Sequence, residues 1–214
     1  WMALRGIPLP AAMLLAVLST TLIGVANGVI VAKGSIPPFI ATYGMQNILN
    51  SLSLLLAAGS SIYFPSFTYR IITETMIMGI PLMVWAAVLV FIMVWVVLNK
   101  TRFGTNIHGL GGNREALQLA GINPIICLIK TYAFAGFIAG IAGIITLSRI
   151  EAGMPTAATG WEFQAVAVTL LGGTSLREGK GGVTGTIFGV LLIQVIKNGP
   201  VSYTHLTLPT NREV

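Results

Sequence analysis

The sequence predicts an all-α fold, a polytopic transmembrane helix bundle, and two observations carry that reading. Hydrophobic residues make up 55% of the 214-residue chain and charged residues 8%, whereas soluble chains carry about 25% charged residues; the mean hydropathy is +0.86. The few charges are also placed so that they leave uncharged runs long enough to cross ~30 Å of hydrocarbon, which takes ~20 residues of helix.

About six crossings can be read from these runs. The first, Pro10 to Ala32, and the third, Met76 to Leu98, contain no charged residue. The second, Ile36 to Ala58, is uncharged but carries Gln46, Asn47 and Asn50 within about one helical turn, a face expected to avoid lipid. The fourth, Ile125 to Leu147, holds Lys130 near one end, where its stem can snorkel to the interface. After Arg149 come two shorter apolar stretches, Ala165 to Leu171 and Val183 to Ile196, flanking the glycine-rich Gly172 to Gly182. Runs this short read either as spans extended by their flanks or as re-entrant or broken helices. Small residues four apart, at Gly24/Gly28, Gly136/Gly140 and Gly185/Gly189, suit close backbone approach in lipid, where no hydrophobic drive acts between helices.

Orientation follows from the basic residues. The stretch between the third and fourth spans holds Lys100, Arg102, Arg114 and, just beyond, Lys130, against Glu115 alone, so the positive-inside rule places it in the cytoplasm. Alternation puts Lys33, Arg177 and Lys180 inside. It puts the 59–75 segment, with Arg70 and Glu74, and the 149–162 segment, with Arg149, Glu151 and Glu162, outside; Arg5 also falls outside, against the rule. No segment has the form of a cleavable signal peptide. The chain opens on Trp1, and beyond Pro200 the apolar pattern gives way to a stretch without helical periodicity. The expectation is a membrane domain over residues 1–199, incomplete at both ends, and a tail over 200–214 that is either non-native or a disordered native end.

Several chemistries are excluded. The chain has no Asp, and its six Glu, at 74, 115, 151, 162, 178 and 213, are scattered, which leaves no carboxylate dyad or acidic cage. The net charge of +6 comes from basic residues standing singly at the ends of apolar runs, which fits membrane topology and not nucleic acid. Cys127 has no partner for a disulfide, and the distant His108, in a Gly-rich loop, and His205 make no metal pair. Gly173 to Gly181 is no phosphate loop: five residues separate Gly173 from Gly179, and Gly181 follows Lys180 where Ser or Thr is required. With no GxSxG elbow either, the chain is expected to be no enzyme and to carry neither cofactor nor metal. The secure spans hold no ionisable residue of the kind that marks ion coupling; Lys130 and Glu162 lie at boundaries, as interfacial anchors or pathway residues.

The informative cytoplasmic piece runs from Gly111 to Pro124. Asn113 suits an N-cap, Glu115 the first turn of a helix, Gly121 the left-handed position after its end, and Pro124 a stop. A two-turn helix is predicted, with Ala116 and Ala120 on one face and Leu117 beside them, a small apolar surface offered either to a cytoplasmic partner or to the bilayer surface.

Gly111 to Ile122 resembles the cytoplasmic EAA-type coupling loop in permease subunits of ABC importers of the ribose and branched-chain amino acid type. Three further stretches resemble the sugar-transporting branch: Asn27 to Lys33 followed by Ile36 to Ile40; Pro155 to Ala157 with Gly160 to Glu162; and Gly172 to Leu176 through Gly185-Thr186. The likeness covers roughly residues 10–199. It departs at Leu117, where relatives usually carry a second alanine, and at Arg177 or Glu178, where they carry glycine.

The resemblance implies a permease subunit of a bacterial inner-membrane importer for a ribose-like pentose, a hexose or a similar small polyol. It implies a second permease subunit, as homo- or heterodimer, cytoplasmic ABC ATPase subunits that hydrolyse ATP, and a soluble substrate-binding protein. Asn113, Arg114, Glu115, Ala116, Leu117, Ala120 and Gly121 would then couple to the ATPase. Gln46, Asn47 and Asn50 are pathway candidates whose amides could bond sugar hydroxyls; the more ordinary role for such amides is interhelical hydrogen bonding. The alternatives are a self-contained secondary transporter or channel for a small polar solute, and a structural membrane subunit.

Overall fold

The computed structural model describes residues 6–34, 36–63, 75–175 and 179–206, with side chains through Asn198. The expected outer segment around Arg70 and Glu74, together with Arg5, Arg177 and Glu178, lies outside the described residues. The chain forms helices α1 (Leu9–Gly34), α2 (Pro38–Leu56), α3 (Leu82–Lys100), α4 (Arg102–Gly112), α5 (Arg114–Leu119), α6 (Pro124–Ile150), α7 (Trp161–Leu171) and α8 (Val183–Leu206). Four two-residue strands, β1 (Ile62–Tyr63), β2 (Met76–Ile77), β3 (Ile80–Pro81) and β4 (Ala152–Gly153), make two minimal ladders. The fold is all-α. It divides into two compact units, residues 1–159 and 160–214.

Among the described residues, α1, α3 and α6 are long and apolar enough to cross a membrane, and the protein is a multi-pass membrane protein. These are the first, third and fourth expected spans. The second, α2, has 19 residues, but Gln46, Asn47 and Asn50 with Ser51 and Ser53 dilute its apolar character. The last two are shorter apolar helices over Trp161–Leu171 and Val183–Asn198.

In the first unit α1 and α6 pack antiparallel. Gly24 meets Tyr132, Gly28 meets Ile129, Gly136 meets Thr20, and Gly140 meets Val17. A Cβ at Gly28 would lie 2.8 Å from Ile129 Cα and one at Gly140 3.0 Å from Val17 Cα, while one at Gly24 or Gly136 would strike the carbonyl oxygen of Tyr132 or Thr20. Two of the spaced glycine pairs therefore face each other across one crossing, where van der Waals contact between backbones replaces the missing hydrophobic drive. Cys127 and Val31 are buried nearby on the same helices.

The third span begins later than its composition implied. Met76 to Pro81 is a hairpin, with Met76 paired to Pro81 and Ile77 to Ile80. Its two-residue turn places Met78 at φ 55° and Gly79 at φ 78°, as a type I′ turn requires. Pro81 then stands at the N-cap of α3 with φ −57° and ψ 138°, the φ that its ring imposes. The remaining 19 residues span about 28 Å, which matches the hydrocarbon thickness.

β1 and β4 pair antiparallel, Ile62 with Gly153 and Tyr63 with Ala152. The chain after α2 and the chain after α6 therefore meet on one side, as alternation of the spans demands. Glu151 ends α6 in the left-handed region, φ 55°, and its N–H donates to the Leu147 carbonyl.

In the second unit α7 and α8 form an antiparallel hairpin closed by the third glycine pair: a Cβ at Gly185 would strike Gly172 O, and one at Gly189 would strike Val168 O. α7 has 11 residues, about 16 Å, half of a crossing. α8 runs through Pro200 to Leu206.

Candidate functional site

The segment between α3 and α6, expected from its charges to face the cytoplasm, is built as two short helices. α4, unforeseen in a stretch containing four glycines and read as a loop around His108, is held by its ends. The Thr101 hydroxyl accepts from Gly104 N at 3.2 Å and donates to Val97 O at 2.6 Å, so one side chain caps α4 and closes α3. Gly104 is required because a Cβ there would lie 2.5 Å from Leu98 Cα. Phe103 packs edge-on against Phe134 of α6, with centroids 6.0 Å apart and planes at 84°.

α5 follows the residues predicted for it. Asn113 Oδ1 accepts from Glu115 N at 2.9 Å and Ala116 N at 3.0 Å, which satisfies N–H groups that the helix leaves open. Glu115 stands in the first turn, where the helix dipole favours it. Gly121 has φ +80°. Its N–H donates to Gln118 O at 2.9 Å and that of Ile122 to Leu117 O at 3.2 Å, the two bonds of a Schellman motif. Asn123 Oδ1 then accepts from Ile125 N at 2.9 Å, and Pro124 opens α6, so α5 and α6 are joined by a stiff corner. A cleft of about 530 Å³ at this corner is lined by Arg114, Gln118, Gly121, Ile122, Asn123, Pro124 and Ile125.

The face of α5 differs from the predicted one. Ala116 and Ala120 are exposed, but Leu117 is buried at 8% exposure and points to α4, its Cδ1 lying 3.0 Å from where a Gly109 Cβ would stand. The exposed apolar side chain beside the alanines is Leu119, at 90%. Spacing allows this, because 116, 119 and 120 lie at i, i+3 and i+4. Arg114 and Glu115 are also exposed. The result is a small apolar platform of Ala116, Leu119 and Ala120 flanked by two opposite charges, on a helix whose buried side is keyed into α4.

The intramembrane candidates are less convergent. Asn47 is exposed and donates from Nδ2 to Tyr43 O at 2.9 Å. Gln46 and Asn50 are half-buried, and no residue of α2 is fully buried. All three lie on one helix, but no described cavity gathers them. Lys130 is exposed on α6, and Glu162 stands half-buried in the first turn of α7. Among the described residues no group of three or more His, Cys, Asp or Glu could hold a metal.

With this geometry in view, comparisons identify the family. The model for the branched-chain amino acid transport system permease component matches residues 1–211. The chain is 40% identical over 182 residues to the ribose import permease protein of Escherichia coli (strain K12), covering 83% of this chain and 56% of that one. It is 33% identical over 192 residues to the D-allose transport system permease protein of the same strain, 90% of this chain and 59% of the relative. It is 31% identical over 172 residues to the strain's L-arabinose transport system permease protein, 80% and 52% respectively. The chain thus spans little more than half the length of these relatives. No solved structure matches it. The chain belongs to the permease-component family of the branched-chain amino acid transport systems.

Proposed function

We propose that this chain is permease sequence of an ATP-driven importer for a monosaccharide, an aldopentose or aldohexose of the kind named in its relatives, in a bacterial inner membrane. Cytoplasmic ABC ATPase subunits, a second permease subunit and a soluble binding protein complete the machine. The observation that carries the reading is α5: a capped, six-residue helix exposing Ala116, Leu119 and Ala120 while Leu117 locks it to α4. Its small face suits a shallow socket on an ATPase, and Arg114 and Glu115 set the register of docking.

The same contacts suggest how closure of the ATPases is transmitted. A push on α5 reaches α4 through Leu117 and Gly109, reaches α6 through the α5–α6 corner and through Phe103 on Phe134, and reaches α1 through the glycine crossing. Helices packed backbone to backbone move as one body, so α1 and α6 would shift together between inward- and outward-open states whose balance nucleotide sets. Gln46, Asn47 and Asn50 offer amides to sugar hydroxyls along α2.

The test starts from the neighbouring reading frames, which should encode an ATPase with a Walker motif and a secreted sugar-binding protein. Co-reconstituted with both, the permease should take up ribose, allose or arabinose only with ATP, and Ala116→Glu should abolish uptake while the protein still inserts. Uptake that persists in Ala116→Glu without bound ATPase would replace this reading with a gradient-driven or passive pathway.

A further inference from the structure

The β2–β3 hairpin has an exposure that water does not explain. Residues 75–81 carry no charge and all are exposed; Met78 reaches 88% exposure and Met76 69%. Met78 occupies a left-handed turn position, φ 55°, that Asn or Gly would fill with less strain and that water would favour.

Two contacts fix where this apolar tip stands. Leu82 N donates to Thr75 O at 2.9 Å, which closes the hairpin onto the first residue of α3. Trp85 Nε1 donates to Ile77 O over a long 3.4 Å, which ties it to the first turn. α3 itself has no buried residue, and Val84, Val88, Leu89 and Ile92 are exposed along it, as on a lipid-facing span. At its other end Lys100 lies over the Trp95 ring, 5.8 Å from the centroid, a pairing of cation and indole suited to an interfacial belt. With Lys100 at one surface, about 28 Å of helix brings Leu82 to the other edge of the hydrocarbon. Headgroups add roughly 5–7 Å beyond that edge, and two-residue strands are about 7 Å long. The hairpin fills that layer. It cannot lie deeper, since its open edges need hydrogen bonds that hydrocarbon does not offer.

We propose that the hairpin Met76–Pro81 is an interfacial membrane anchor, its methionines and isoleucines seated in the headgroup–acyl boundary of the leaflet opposite Lys100. Its occupant is the phospholipid bilayer. With Lys100 and Trp95 at the far end, it fixes the height of α3, and hence of α4, against the membrane.

The experiment places a solvent-sensitive fluorophore on Met78→Cys, and separately on Ile80→Cys, in a Cys127→Ala background reconstituted into phosphatidylcholine–phosphatidylglycerol vesicles. Both probes should emit blue-shifted light and be quenched about twofold or more by lipid brominated near the head of its acyl chains, and less by lipid brominated near the chain middle. Aqueous iodide should quench both far less than a probe on Leu119→Cys in the same background. Strong iodide quenching without bromolipid quenching would overturn the proposal by standing the hairpin in water. Strongest quenching from mid-chain bromine would overturn it by burying the segment in hydrocarbon, and shielding that arises only on adding the secreted binding protein would assign the surface to that protein instead. No transport is measured, so failure of the importer reading leaves this result intact.

Discussion

α1 and α2 follow one another in the chain and meet the membrane in opposite ways. α1 buries Gly24, Gly28 and Val31 against α6, while α2 buries nothing. The difference lies in where the small residues fall. Gly24 and Gly28 sit four apart opposite Gly136 and Gly140, so two backbones can touch; Gly44, the one glycine of α2, has no atom within 4 Å of a would-be Cβ. α1 finds its partner inside this chain. On α2, Gln46 and Asn50 stay half-buried and Asn47 exposed.

The largest expected effect breaks that contrast directly. Gly136→Leu should remove most of the inserted, detergent-stable protein, because overpacking costs ~1–3 kcal/mol and here the neighbour that must give way is backbone. Gly44→Leu should leave membrane abundance and the detergent elution profile unchanged. Equal damage from both would mean that α2 is already packed against a partner as tightly as α1.

The same contrast recurs within α5, between two leucines two residues apart. Leu117→Ala should cost about 2–5 kcal/mol of stability, the range for large-to-small changes at buried sites, seen as a lower melting temperature in detergent. Leu119→Ala should leave that temperature within error yet weaken ATP-driven uptake. If the two variants melt alike, α5 does not lean on α4 and the proposed route of transmission fails at its first step.

Smaller effects come from the ends of α5. Gly121→Val should cost about 1–2 kcal/mol, the strain of a side chain in the left-handed region, and Asn113→Ala ~1 kcal/mol for the lost cap. Both should loosen the corner into α6, so uptake should fall further than thermal stability does. Loss of uptake strictly in proportion to folded protein would make the corner merely structural.

Much of this was legible because membrane segments announce themselves by charge. The first span, expected from Pro10 to Ala32, runs Leu9–Gly34, and the fourth, expected from Ile125 to Leu147, runs Pro124–Ile150. The cap residues of α5 were equally readable, since Asn113, Gly121 and Pro124 act on their own neighbours. What stayed hidden depends on contacts between segments. Met76–Pro81 is uncharged, as is the helix after it up to Lys100, and only the Gly79 and Pro81 punctuation marked the hairpin. α4 looked like a loop, because nothing local reveals that Gly104 lies against Leu98. That omission carried over: without α4 there was no way to know that Leu117 turns inward and Leu119 outward.

The smallest expected effect concerns residues 201–214. α8 passes through Pro200 to Leu206, yet proline inside a helix removes one hydrogen bond and clashes with the preceding turn, at about 3 kcal/mol. Helix beyond it therefore needs tertiary support. The sequence after Pro200, Val-Ser-Tyr-Thr-His-Leu-Thr, mixes apolar and polar residues without the period that would give it a buried face. Deleting 201–214 should leave expression, insertion and melting temperature unchanged. The family match, however, continues to residue 211. A large loss of insertion on deletion would show that residues 201–211 carry part of the family's own structure, and that α8 is held past its proline by contacts the period of its sequence does not foretell.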